Sequence, residues 1–395
     1  MLSKCLSNRK VRDALTGAAL LLCAAALVLF PAQAVEAAKD GLLLCYNVII
    51  PSLFPFFVLS NLVVELGLVS YLGKLLSPLM RPLFRVPGEG GTALALGFVG
   101  GYPVGARTTL SLYEKGLCTK TEAERMLAFC NNSGPAFILG VVGAGIFSNS
   151  RTGLLLYLAH AAASVCVGVL FRFYRGTDRK RPSATAVPRF EAPRLTVAFT
   201  GSVKASFLST LNICAFVVFF TVLIRLLTLT GAIPTLGRLL APAMARLGFP
   251  PQFGANLITG LVELSSGVWT LSGSGNGAGR LELAAFMLGW AGLSVHCQVL
   301  SFVGGSGLSV RPYFLGKLLH GGLSALFTAG LLHLFPTAVP VSATLIEQVE
   351  DLTRLDFSTA LTLSTTAAFL VWLVFFLLAL FAIRKNSGKR RRKML

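Results

Sequence analysis

Residues 97–105 read Gly-Phe-Val-Gly-Gly-Tyr-Pro-Val-Gly, inside an apolar stretch that belongs within a bilayer. No continuous helix survives that run: the clustered glycines loosen the backbone and Pro103 removes an amide donor. Bare backbone at membrane depth is tolerated only where it is buried in protein or lines a cavity. A second break, Asn131-Asn132-Ser133-Gly134-Pro135, follows in the next apolar segment. Two such breaks close together in a polytopic chain point to a solute-binding site near the bilayer midplane, and so to transport.

The rest of the chain agrees with a membrane setting. Of 395 residues, 54% are hydrophobic and 13% charged, which fits a multi-span helical protein and excludes a soluble globule. The formal charge of +19 does not mark a nucleic-acid binder, because no basic, aromatic-studded soluble domain exists to hold one. Basic residues sit in short segments between apolar runs and in the tail Lys389-Arg390-Arg391-Arg392-Lys393, as the positive-inside rule requires. That tail reads as a topology anchor, with contact to anionic lipid as the alternative. The eight cysteines are scattered without a C-x-x-C pair, and the four histidines (160, 296, 320 and 333) form no ligand-spaced motif. Neither a disulfide framework nor a metal site is indicated, and no cofactor motif is present. Gly273-x-Gly-x-Gly-x-Gly279 follows no strand and lacks the Lys-Ser/Thr of a phosphate loop, so it reads as a linker.

Apolar segments fall at 14–34, 41–66, 91–113, 123–147, 152–174, 200–228, 252–271, 281–305, 312–336 and 359–384. If all ten crossed the membrane from a cytoplasmic N-terminus, the basic stretch 172–194 would lie outside. The conflict disappears if 91–113 is a hairpin that enters and returns on the cytoplasmic side. Each arm then has about 10 residues, or roughly 15 Å at 1.5 Å per residue. That reaches half of a ~30 Å hydrocarbon core. Treating 252–271 the same way, entering from outside, places most of the 35 Lys and Arg in the cytoplasm.

The chain also repeats itself. Leu72-Gly-Lys-Leu-Leu-Ser-Pro-Leu-Met80 recurs as Leu236-Gly-Arg-Leu-Leu-Ala-Pro-Ala-Met244, with six of nine positions identical. Gly97-Phe-Val99 matches Gly260-Leu-Val262, and the break at Gly134 matches one at Gly292. The expected fold is therefore an all-α polytopic membrane protein of two inverted-topology repeats, each with a re-entrant hairpin and a broken transmembrane helix. The expected divisions are an N-terminal span in 1–38, repeat 1 in 39–175, a basic cytoplasmic linker at 176–199 and repeat 2 in 200–336. An external loop at 337–358, a terminal span at 359–384 and a basic tail at 385–395 complete it. For 1–38 a retained span is preferred, with a cleaved signal peptide as the alternative, because the Ala-rich stretch 32–38 resembles a signal-peptidase site.

Gly101-Tyr-Pro-Val-Gly-Ala106, Thr121-Glu-Ala-Glu-Arg125 and Phe129-Cys-Asn-Asn-Ser-Gly-Pro135 resemble the YlbJ-type sporulation integral membrane proteins. The resemblance runs from about residue 40 to 335 and extends to the wider group with nucleoside-recognition, or Gate, domains. It implies a role in endospore formation, specifically passage of dipicolinic acid across the outer forespore membrane of the mother cell. Dipicolinate is a small, flat, aromatic dicarboxylate, and half-helix N-termini would offer it free N–H groups and positive dipole ends.

The candidate solute-contacting residues sit at the breaks. Gly101, Tyr102, Pro103 and Gly105 form the first hairpin tip, and Arg107 follows on the returning arm. A guanidinium in that position suits a carboxylate; snorkelling or pairing with a protein acid are its alternatives. Asn131, Asn132, Ser133 and Gly134 either bond the solute or satisfy backbone groups freed by Pro135. Glu263, beside Ser265 and Ser266 at the second tip, is a candidate proton-coupling site, or else a fixed salt bridge to Arg107. His296 and Gln298 follow the second break, His296 reading more readily as a core residue. The expected partners are a small-molecule anion and the lipid bilayer, with a homo-oligomer compatible and nucleic acid excluded. The main rival within the class is a carrier of nucleosides or other small solutes. A non-transporting scaffold has no evident need for two broken helix pairs, and an intramembrane enzyme would need a converging nucleophile–base pair or metal ligands.

Overall fold

A computed structural model describes residues 9–66, 75–176, 194–272 and 277–334. Among them the secondary structure is entirely helical. The terminal span expected at 359–384, the loop at 337–358 and the basic tail lie outside the described residues, as does most of the linker at 176–199.

Helix α1 (Arg9–Leu29) gives way at Phe30 to α2 (Pro31–Leu44), and the axis turns by 98° there. Pro31 sits at the start of α2, where its missing amide is tolerated, but it cannot continue the ladder of α1. The apolar run 14–34 therefore bends within its length. From α2 the chain passes through a wide π turn (Cys45–Ile49) into α3 (Ile50–Glu65). Pro51 and Pro55 withhold amides from this stretch, and a local π turn is one way a helix absorbs such a fault.

The first hairpin is α4 (Gly90–Gly100) and α5 (Val104–Glu114), two short packed helices joined by Gly101-Tyr102-Pro103. Their approach is set by glycine: a Cβ on either Gly97 or Gly105 would overlap the carbonyl of Cys130, which lies between the arms. Helix α6 (Lys120–Phe129) opens on a capping box between Thr119 and Glu122 and ends just before the first break. After that break, α7 (Ala136–Ile146) is wound with π geometry, and α8 (Ser150–Phe171) starts on the Asn149 side-chain cap. Gly143 of α7 meets Gly153 of α8 backbone to backbone, the small-residue contact that lets membrane helices approach closely.

Helix α9 (Leu195–Leu229) packs on α2 and α3 and leaves Phe199, Phe207, Leu208 and Phe219 exposed. Its 35 residues make it ~50 Å long, more than a ~30 Å hydrocarbon core requires. Amphipathic α10 (Ala232–Arg246) lies on α11 (Phe253–Val262), which forms the second hairpin with α12 (Leu264–Trp269). Here Gly267 abuts the Gly260 backbone. Helices α13 (Gly277–Trp290) and α14 (Gly292–Val303) form one broken span, Gly279–Val303, interrupted at Ala291-Gly292, both of which have positive φ. Finally α15 (Arg311–Leu334) packs one face against α13, α8 and α6, with Gly321 against Gly289 and Gly316 against Ala128, and leaves Leu315, Leu318 and Leu326 exposed.

Among the described residues, four helices are long and apolar enough to cross a membrane: α8, α9, the broken α13–α14 and α15. The bent pair Thr16–Leu29 and Pro31–Asn47 makes a fifth if counted as one span.

Candidate functional site

Both hairpin tips and both breaks meet around one cleft that is partly open to its surroundings. Gly101 has φ 70° and ψ −166°, a conformation essentially restricted to glycine. This lets the first tip lie against Gly134, so that a Cβ on Gly101 would stand 2.9 Å from the Gly134 nitrogen. Gly292, at φ 80°, sits equally tightly against the second tip, its Cβ position 2.9 Å from the Leu264 nitrogen. The cleft is lined by Gly100, Gly101 and Tyr102 of the first tip, and by Ser133, Gly134, Ala136 and Phe137 of the first break. Glu263, Leu264 and Ser265 come from the second tip, and Ser294, Val295 and Gln298 from α14. Ile49, Leu53 and Phe57 wall one side, and Ile213, Phe216 and Val217 of α9 another.

Helices α7, α12 and α14 all begin at this cleft, so their positive dipole ends converge on it, although at α7 the amides of Phe137 and Ile138 already donate to Gly134 O. One of the three ends is already occupied. Glu263 is 2% exposed and caps α12, accepting Ser265 N–H at 3.0 Å and Ser266 N–H at 2.6 Å. Its carboxylate is therefore held by backbone amides, and among the described residues no ion pair joins it to Arg107. Arg107 itself is exposed on α5, its guanidinium 5.6 Å from the centre of the Phe302 ring, outside the cleft lining.

The residues of the first break are buried, and part of their bonding is to the protein itself. Asn132 Nδ2 donates to Phe129 O at 3.0 Å and Ser133 N–H donates to His160 Nε2 at 3.0 Å, which satisfies groups freed by the break. Ser133 Oγ and Asn132 Oδ1 have no partner, and Ser133 faces the cleft. A buried hydroxyl without a partner is costly unless a ligand or water supplies one. Tyr102 borders the cleft, yet its hydroxyl turns into the protein and donates to Leu288 O at 2.6 Å.

Other expected positions fall elsewhere. Pro103 and Gly105 belong to the hairpin's own packing, and Ser266 Oγ lies 3.4 Å from Thr221 Oγ1 beside the cleft. His296 is a core residue: its Nδ1 lies 2.9 Å from Tyr313 Oη and its ring is edge-on to Trp290 at 4.5 Å. Gln298 does face the cleft.

Sequence reasoning passed over Lys317, His320, His160 and Ser294. Lys317, fully buried on α15, reaches Tyr102 Oη at 3.1 Å, Asn131 O at 3.0 Å and His320 Nδ1 at 3.3 Å. A lone lysine in the middle of an apolar span was a readable signal, because intramembrane charge is expensive and seldom idle. The motif Thr121-Glu-Ala-Glu-Arg125 turns out to be structural. Buried Arg125 donates to the carbonyls of Arg85, Tyr174, Arg175 and Gly176, and Glu124 accepts from Ser309 N–H and Tyr174 O–H.

Paired hairpins and broken helices around a central cleft define an integral membrane protein with the fold of the concentrative nucleoside transporters. Against CNTnw in an inward-facing substrate-bound state the TM-score is 0.53 at 16% identity, covering 84% of this chain and 88% of that one. A variant of CNTnw in an outward-facing state gives 0.54 at 14% identity, covering 89% and 88%. The Gate family, described as nucleoside recognition, matches residues 47–175. The sporulation integral membrane protein YlbJ of Bacillus subtilis (strain 168) is 33% identical over 335 residues, covering 80% of this chain and 82% of that protein. The chain belongs to the YlbJ family of sporulation integral membrane proteins.

Proposed function

We propose that this protein is a secondary transporter of a small, flat, aromatic anion, with dipicolinate as the solute and the outer forespore membrane as its place of work. The observation that carries this reading is the convergence of helix N-termini on a cleft walled by Phe57, Phe137 and Phe216. Aromatic rings accept a planar solute by stacking. The amide end of α14 offers hydrogen bonds to a carboxylate and the positive end of α7 favours a second one, while α12 is taken up by Glu263. Ser133 Oγ supplies a further free hydroxyl. The two tip-and-break pairs act as re-entrant hairpins of inverted repeats, and the cleft between them opens alternately to each side. Kinship with YlbJ supports the sporulation setting.

A second reading rests on Glu263 and Gln298. Both present acceptor oxygens at the cleft, which suits the hydroxyl and N–H donors of a nucleoside better than a dicarboxylate. Uptake by proteoliposomes of labelled dipicolinate, uridine and succinate separates the two. Saturable dipicolinate uptake that excess uridine does not inhibit supports the first, uridine uptake alone supports the second, and succinate uptake matching dipicolinate refutes the aromatic requirement.

A further inference from the structure

Behind the cleft, and sharing Tyr102 and Ser133 with its lining, five elements meet at one buried cluster. Tyr102 comes from the first tip, Asn131 and Ser133 from the break, His160 from α8, Leu288 from α13, and Lys317 with His320 from α15. Its bonding follows from counting hydrogens. The Tyr102 hydrogen is committed to Leu288 O at 2.6 Å, so the phenol oxygen faces Lys317 as an acceptor. Asn131 O is an acceptor by nature. His320 Nε2 lies 2.9 Å from the His160 carbonyl, which has no hydrogen to give, so Nε2 carries a proton. Neutral His320 then presents Nδ1 to Lys317 as a third acceptor at 3.3 Å. A neutral amine has only two hydrogens for three acceptors. One added proton on the Lys317–His320 pair, on Nζ or on Nδ1, satisfies all three contacts.

No carboxylate among the described residues pairs with this charge. Its compensation is dipolar. Asn131 O lies two residues past the C-terminal end of α6, and Leu288 O belongs to the last turn of α13, the negative ends of both helices. The Tyr102 ring adds its face, 4.8 Å from Nζ. In membrane proteins with interrupted helices, unwound carbonyls and helix C-terminal ends are where small coupling cations are coordinated. Here that position is filled by a side chain.

We propose that the Lys317–His320 charge is a tethered substitute for a bound monovalent cation, closing the junction between the first hairpin tip and the first break without an exchangeable ion. In the transport reading above, on which this consequence rests, solute movement is independent of a sodium or potassium gradient.

The test uses the full chain in detergent, with thermal unfolding followed by a thiol-reactive dye that reports exposure of buried cysteines such as Cys118 and Cys130. Wild-type Tm should be the same in sodium, potassium, methylammonium and choline chlorides at equal ionic strength. Lys317→Ala should have a lower Tm, raised by sodium or methylammonium but not by choline, which is too large for the vacated shell. Lys317→Met, neutral but of similar volume, should show the same loss with no ion response. Sodium-specific stabilisation of wild type overturns the proposal, as does a folded Lys317→Ala that no small cation stabilises, or a Lys317→Met as stable as wild type. If Lys317→Ala yields no folded protein, the wild-type and Lys317→Met arms still decide. In proteoliposomes, initial uptake should be equal with external sodium or choline. Sodium-driven uptake overturns the consequence, whereas absence of any uptake counts against the transport reading and leaves the Tm comparison standing.

Discussion

Gly101→Ala should loosen the first hairpin tip from the first break and do little else. At φ 70° and ψ −166° the backbone of residue 101 is in a region where a side chain costs ~1–3 kcal/mol. The new Cβ would also stand 2.9 Å from the Gly134 nitrogen and 3.2 Å from its Cα. Those are backbone atoms that cannot swing aside, so crowding adds roughly 1 kcal/mol, the low end for overpacking. Together the docked tip loses about 2–4 kcal/mol, which at 1.4 kcal/mol per tenfold shifts docking by ~30- to ~1,000-fold. Cys130 reports this directly: it is fully buried and its carbonyl is gripped between Gly97 and Gly105 of the hairpin arms. Its labelling by a membrane-permeant maleimide, read by mass spectrometry, should rise at least ~10-fold in Gly101→Ala. The control is Gly322→Ala, a helical position with nothing within 4 Å of the added Cβ, which should label like wild type. Wild-type labelling and Tm in Gly101→Ala would show that the tip does not depend on this glycine, and the close-approach argument would fail.

Topology comes next. Cysteine at exposed Lys115 should be labelled from the cytoplasm and cysteine at exposed Leu247 from outside; the reverse at either site overturns the re-entrant hairpins. Native Cys118 should stay silent in that assay, because burial pushes its thiol up to about 12 and leaves almost no thiolate at neutral pH. Arg125→Ala should strongly reduce folded protein by stripping charge-assisted hydrogen bonds, each worth about 1.5–3 kcal/mol, from a buried set of carbonyls. Arg125→Lys should not restore it, since a point ammonium cannot span that fan, and normal yield of Arg125→Lys would refute the geometry. Arg107→Ala and Glu263→Gln should be additive in unfolding free energy, within about 0.5 kcal/mol, because the side chains share no contact; coupling above that value would restore an ion pair between them.

What the sequence disclosed and what it withheld divide along a physical line. Clustered glycines, prolines and asparagines announce where a helix must stop, since they act through local backbone geometry. The breaks at Gly101 and Gly134 are therefore readable from residue type, and the one at Gly292 from its match to Gly134 in the repeat. The bend at Pro31 carried the same kind of signal, hidden by the continuous hydrophobicity around it. Side-chain roles were harder to read because they depend on rotation about a helix and on remote partners. Arg107 looked deep by its distance from Pro103, yet its position on α5 turns it out toward Phe302. Lys317 lies 215 residues from Tyr102 in the chain, and nothing local connects them. Glu263 stood out as a charge at a tip, but only the extended conformation of residue 263 shows that it caps α12.

Two of the buried charges near the cleft are opposite in sign and sit at different kinds of helix end. Glu263 caps the positive end of α12 at the cleft, while the Lys317–His320 charge lies against the negative ends of α6 and α13 behind the first tip. Each break exposes two helix ends of opposite polarity, so each creates a demand for both signs of charge. At the first break the protein answers the negative end with Lys317 and leaves the positive end, at α7, facing the cleft. At the second break the positive end of α14 is likewise left open, while the neighbouring tip carries its own acid. The cations and anions that could saturate the site are thus built in everywhere except at α7 and α14, the two positive helix ends that border the aromatic wall. A solute that completes this pattern must bring negative charge or acceptor oxygens to those two ends and a flat apolar face to Phe57, Phe137 and Phe216. Replacing Ser294, in the first turn of α14, with Asp should therefore block uptake of an aromatic dicarboxylate by placing a competing carboxylate at that end. Uptake should also recover in Ser294→Asn, which fills the same space without the charge. Equal loss in both variants would mean that shape, and not charge at α14, decides what enters.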